Sequence, residues 1–143
     1  MPGSGGEARP VTSWRSYATW PSWSPDGREL VYQLERQGAR HLWLVSASGG
    51  ASRQLTSGDS EESHPEWSPR DPDRVLFLRD HSRVFVVSVS TGKETEIEVR
   101  RASGTSLPSG SVVLDYPSWS PDGSRIYFDV TRKTGDIYLL GGD

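Results

Sequence analysis

The residues best suited to chemistry are few. Three histidines occur, His41, His64 and His81, and only His64 has suggestive surroundings. It directly precedes Pro65, with Asp59, Glu61 and Glu62 just upstream and Asp115 leading into the next comparable stretch. Histidine with carboxylates is a donor set for a divalent metal. One imidazole beside the solvated composition Asp-Ser-Glu-Glu-Ser is not yet a ligand set. No metal and no cofactor are therefore assigned, and His64 is the single candidate ligand. No serine sits in Gly-x-Ser-x-Gly between a strand and a helix; Leu107-Pro108-Ser109-Gly110-Ser111 lacks that context. No catalytic residue is assigned. The chain has no cysteine, which excludes a disulfide framework and a thiolate metal site.

What must position these residues is a stretch written three times. Pro21-Ser22-Trp23-Ser24-Pro25-Asp26-Gly27 runs into Leu30-Val31-Tyr32. Pro65-Glu66-Trp67-Ser68-Pro69 runs into Val75-Leu76-Phe77. Pro117-Ser118-Trp119-Ser120-Pro121-Asp122-Gly123 runs into Ile126-Tyr127-Phe128. The tryptophans are 44 and 52 residues apart. Strand-rich repeats of about 40–50 residues are propeller blades. Each unit reads as four short strands, with Pro-Asp-Gly as the first turn: Pro sets φ, Asp bonds the turn backbone, Gly accepts positive φ. The repeated Asp26 and Asp122, and the repeated tryptophans, are thereby scaffold.

The fold expected is all-β: a partial β-propeller of three four-stranded blades in one domain. The units span about 18–57, 63–98 and 115–143. Residues 5–13 match 49–57, so an orphan outer strand is expected at 5–13, belonging to a preceding blade or completing the last one. A long connecting loop is expected at 99–115, ten residues longer than its counterparts. Three blades are too few for a closed ring of about 4–8. The chain is thus either part of a longer propeller, an open stack, or half of a six-bladed homodimer.

In a propeller, Trp20, His64 and Tyr116 occupy one position at the entry of the innermost strands, and would gather round one mouth of the central channel. Trp14 and Tyr17 lie on the connection before the first blade, Arg100 and Arg101 open the long loop, and Asp115 closes it. Aromatic and arginine side chains are the usual anchors of interfaces. These eight residues are the candidate partner-binding set, for a protein or small ligand.

The 143 residues suffice for one domain with a core. With 16 basic and 19 acidic residues, the charge balance gives no reason to expect nucleic acid. No apolar run approaches the ~18 residues of a membrane span. Met1 to Glu7 has neither the basic nor the apolar region of a signal peptide. As it stands the sequence is expected to remain cytoplasmic; a leader on a longer parent would permit a periplasmic location.

These motifs resemble the repeat of TolB-like propellers: Trp-Ser-Pro-Asp-Gly at 23–27 and 119–123, Asp136-Ile137-Tyr138, Gly49-Gly50 and Leu55-Thr56. The middle copy departs from the pattern, with Arg70-Asp71-Pro72-Asp73 in the turn and Arg83 where Asp is usual. The resemblance implies a non-catalytic module binding proteins or ligands. It also allows two alternatives: the gating propeller of a prolyl-oligopeptidase-type serine peptidase whose catalytic domain is absent, or a remnant of a metal-dependent polysaccharide lyase propeller.

Overall fold

The structure is a computed structural model that describes residues 5–13, 17–100, 103–104, 113–131 and 136–141. Among the described residues it contains eleven strands and no helix. The first antiparallel sheet is β1 (Ala18–Trp23), β2 (Glu29–Arg36), β3 (Ala39–Ser46) and β4 (Arg53–Gln54), in that order. The second is β5 (Glu62–Trp67), β6 (Arg74–Arg79), β7 (Arg83–Ser88) and β8 (Glu94–Ile97). The third is β9 (Val113–Trp119), β10 (Arg125–Thr131) and β11 (Asp136–Gly141). Strands β1, β5 and β9 lie side by side as the innermost strands of three successive blades.

The middle strands carry continuous apolar runs because neighbours cover both their faces. Val31, Leu42 and Leu44 of the first blade pack against Trp67, Val75, Phe77, Phe85 and Val87 of the second. Leu76, Leu78, Val84 and Val86 of the second pack against Leu114, Trp119, Ile126, Phe128 and Val130 of the third. Each fully buried Leu, Val or Phe contributes roughly 1.5–3 kcal/mol. The outer strands are short and polar; β4 is the exposed pair Arg53 and Gln54, a form that discourages edge pairing.

The repeated turn has serine as its hub. Ser24 Oγ donates to Asp26 Oδ1 (2.6 Å) and accepts the backbone N–H groups of Arg28 (3.1 Å) and Glu29 (3.0 Å). Ser120 does the same with Asp122 and Arg125. Ser68 is a hub too, but it accepts the N–H groups of Arg70 and Asp71, two and three residues on, so the longer middle turn closes by a different pattern without Asp-Gly. The serine hydroxyls hold both aspartates below the usual carboxylate range, Asp122 down to about 2.

Hydrogen bonds also tie blade to blade in a repeating way. Trp67 N donates to Ser22 Oγ (2.9 Å), and Trp119 N to Glu66 Oε1 (3.3 Å). The residue between Pro and Trp thus caps the tryptophan backbone of the next blade. Burial raises the Glu66 carboxyl above its ordinary value, against the lowering pull of the bonds from Trp119 and Ser118.

Two expectations are corrected, at residues 113–115 and at Glu62, while residues 5–13 pair with no described strand of the single chain. There Val11 packs on Leu30, Tyr32, Leu34, Trp43 and Val45, the outer face of the first blade, and Arg9 donates to the carbonyls of Ser48 (3.2 Å) and Ala47 (3.1 Å). No fourth strand pairs with β11 among the described residues. Residues 113–115, read as the end of the long loop, open β9 instead. Glu62, read as part of a solvated loop, is fully buried, because it is the first residue of β5 and lies between two blades.

Candidate functional site

Each innermost strand breaks register where its proline sits: between Thr19 and Ser22 in β1, between Ser63 and Glu66 in β5, and in β9 opposite Tyr127 to Asp129. At each bulge one residue adopts the left-handed region: Trp20 (φ 49°), His64 (φ 51°) and Tyr116 (φ 49°). The following proline disfavours the right-handed helical region for the residue before it. For bulky side chains positive φ is strained, and strain repeated at one position in three blades marks a built feature. The bulge re-aims each side chain out of the ladder.

Three of the eight residues singled out from the sequence meet here as rings. Trp20 stacks on His64 with centroids 3.9 Å apart and planes at 20°. Tyr116 meets His64 edge-on at 5.2 Å. Trp20 and Tyr116 remain exposed, while His64 between them keeps only 9% exposure. A fourth ring was not anticipated. His81, on the turn between β6 and β7, approaches His64 edge-on at 5.9 Å, and its backbone carbonyl accepts the N–H of Leu114 (2.7 Å). Its signal in the sequence was modest: Asp80-His81-Ser82 stands where the first blade turns at Gln37-Gly38, and His81 takes φ 50° there without being glycine.

Asp115 joins the group, with its carboxylate 3.7 Å from His81 Nδ1. His64, His81 and Asp115 each present a ligand atom within 4.8 Å of the others. The Nδ1 of His64 is buried with no hydrogen-bond partner. Burial lowers the His64 pKa, His81 adds to the lowering, and Asp115 opposes it. Burial thus favours the neutral imidazole of His64, the form that can ligate a metal.

The other candidates stand elsewhere. Tyr17 is exposed ahead of β1, with its carbonyl accepting Glu35 N–H (3.0 Å). Arg100 is engaged by Glu98 at 2.6 Å. Trp14 and Arg101 lie outside the described residues. A buried polar network centres on Glu62, two residues before His64. Glu62 accepts from Arg79 Nε (3.1 Å), from Thr56 Oγ1 (3.1 Å) and from His41 Nδ1, and its backbone carbonyl accepts Gln33 Nε2 (2.6 Å). His41 is thus structural, joining the first blade to the second.

No protein-family model matches the sequence, and no curated protein does. Solved structures do. One described as TolB from Agrobacterium tumefaciens superposes with TM-score 0.81 at 20% identity, over 100% of this chain and 53% of that one. TolB from Acinetobacter baumannii gives TM-score 0.65 at 17% identity, over 92% of this chain and 34% of its own. An oligogalacturonate lyase in complex with manganese gives 0.71 at 16% identity, over 94% and 42%. The chain spans about half the length of the first of these and less of the others. With its three stacked antiparallel blades and these superpositions, the chain has a TolB-like β-propeller fold.

Proposed function

We propose that this chain is a propeller module that binds a protein or small ligand at the mouth formed by Trp20, His64 and Tyr116, with no catalysis of its own. The observation carrying this reading is the repeated strained bulge, which presents three aromatic rings from three blades in one cluster. Exposed rigid aromatics give large contact area at little conformational cost, which suits an interface anchor. Peptides selected from a random displayed library against the wild-type chain should lose at least about tenfold in affinity on the double substitution Trp20→Ala and Tyr116→Ala, a loss of about 1.4 kcal/mol. Equal binding to both proteins would move the site away from the mouth.

A second reading is supported by the unpartnered Nδ1 of His64. Two imidazoles and a carboxylate from three strand-and-turn positions fit a divalent first-row ion, with coordination positions left open. Here the alternative of a lyase remnant draws on the manganese-bound lyase of similar fold. Titration with Mn²⁺, followed by calorimetry, should show one site in the wild-type chain. His64→Ala and His81→Ala should each abolish it. No heat of binding up to millimolar Mn²⁺ would dismiss the metal.

A further inference from the structure

Equivalent positions in the three blades are not equally covered. Trp67 and Trp119 are 4% and 8% exposed, each packed against the blade before it, whereas Trp23 is 52% exposed. At the opposite end, Val31 and Leu76 are both 0% exposed under the blade that follows, whereas Tyr127 at the same position is 36% exposed. Register confirms the equivalence: Val31 pairs with Leu44, Leu76 with Val86, and Tyr127 with Leu139. The first blade therefore offers the face that a third blade is built to meet. The capping bond follows the same rule. Ser118 in the third blade stands where Ser22 stands in the first, and Ser22 receives the backbone N–H of the following tryptophan, Trp67.

The N-terminal segment sharpens this. Residues 5–13 align with 49–57, and Val11 aligns with Leu55. Leu55 packs at the rim of the cluster between the first and second blades; Val11 packs on the outer face of the first. Val11 thus holds toward the first blade the place that Leu55 holds toward the second. A groove of about 550 Å³, lined by Val11, Pro21, Trp23 and Leu30 among others, remains between that segment and the blade. Meanwhile β11 has no outer neighbour among the described residues.

From these matched faces we infer that two copies of this chain associate head to tail, each third blade on the other's first blade, with residues 5–13 of each copy forming the fourth strand of its partner's third blade. Both contacts are the same heterologous interface, and a twofold axis closes them into a ring of six blades. Six lies within the range that propellers close at. Leu55 N donates to Leu42 O (2.8 Å) in the first blade, so Val11 N would donate to the carbonyl of the partner's residue equivalent to Leu42, Ile137. The ring would set a second group of Trp20, His64 and Tyr116 around the same opening. This association is independent of whether the mouth binds a ligand.

Sedimentation velocity on the full 143-residue chain tests it. The expected result is one species of twice the chain mass. A monomer at about 200 μM, or a ladder of growing multimers, overturns the closed ring. Trp23→Arg and Tyr127→Arg should each give a monomer with an unchanged circular dichroism spectrum. Mixed, they should restore a twofold-mass species, because one of the two contacts then pairs an intact Trp23 face with an intact Tyr127 face. Either variant remaining fully dimeric overturns the assignment of faces. Val11→Pro removes the donor and should weaken the dimer at least about tenfold; unchanged association overturns the strand exchange.

Discussion

Replacing Arg79 with methionine should destabilise the fold by about 3–5 kcal/mol, read as a lower urea midpoint. The guanidinium lies between Glu62, which is fully buried, and Glu94 at 2.7 Å. It also lies over the rings of Phe85 (4.4 Å) and Phe77 (5.4 Å). Methionine keeps most of the stem and its contact with those rings, so the loss isolates the charge. What remains is a carboxylate taken out of water with only Thr56 and His41 as donors. An uncompensated buried charge is the costly outcome of breaking such a pair. Glu62→Gln should cost less, since it buries no charge: its amide oxygen still accepts from Arg79 Nε, and the NH2 in place of Oε2 can donate to the Thr56 hydroxyl. Because the network joins β3 of the first blade to β5, β6 and β8 of the second, its loss should also loosen the blade interface. A change in midpoint equivalent to less than about 1 kcal/mol would mean that the pair carries little of the stability.

Trp119→Ala should cost about 3–5 kcal/mol, in the range for deleting a large buried aromatic. The indole fills the cluster between the second and third blades, donates Nε1–H to the carbonyl of Glu66 (3.2 Å), and lies under the guanidinium of Arg74 at 5.2 Å. The same change at Trp23 provides the control. In a dilute, monomeric sample its half-exposed ring should be worth less than about 1 kcal/mol. Thermal or urea unfolding of the two variants side by side would check this. Equal losses would contradict the assignment of Trp119 to a blade–blade core and Trp23 to an open face.

The sequence made the blade legible because its turn chemistry and strand pattern are local. Pro-Asp-Gly and the runs Leu30 to Leu34, Val75 to Leu78 and Ile126 to Val130 each carry their own physical reason. Trp20, His64 and Tyr116 could be placed together because three repeats in one register put equivalent residues at equivalent places. His81 could not, since its approach to His64 depends on how one blade's hairpin turn leans over the next blade's inner strand. Glu62 misled for a similar reason. Its neighbours Asp59, Ser60 and Glu61 read as solvated, and only the meeting of two blades shows that Arg79, Thr56 and His41 converge on it. The serine of the turn was hidden behind its more conspicuous neighbours Asp and Gly. Residues 5–13 matched a strand in sequence, but a strand needs an edge to pair with. Within the single chain no described strand pairs with them.

The bulges that carry Trp20, His64 and Tyr116 have a consequence for how such a surface can change. The backbone conformation there is dictated by the ladder and the proline, whichever side chain is attached. Asparagine or glycine would sit in that conformation more comfortably than any of the three rings. Those rings therefore hold their positive φ against the local conformational preference. Each blade contributes one residue to this position, Trp, His and Tyr in turn, on the same backbone bend. Replacing one of them by asparagine or glycine should therefore relax its bulge while taking a ring out of the cluster.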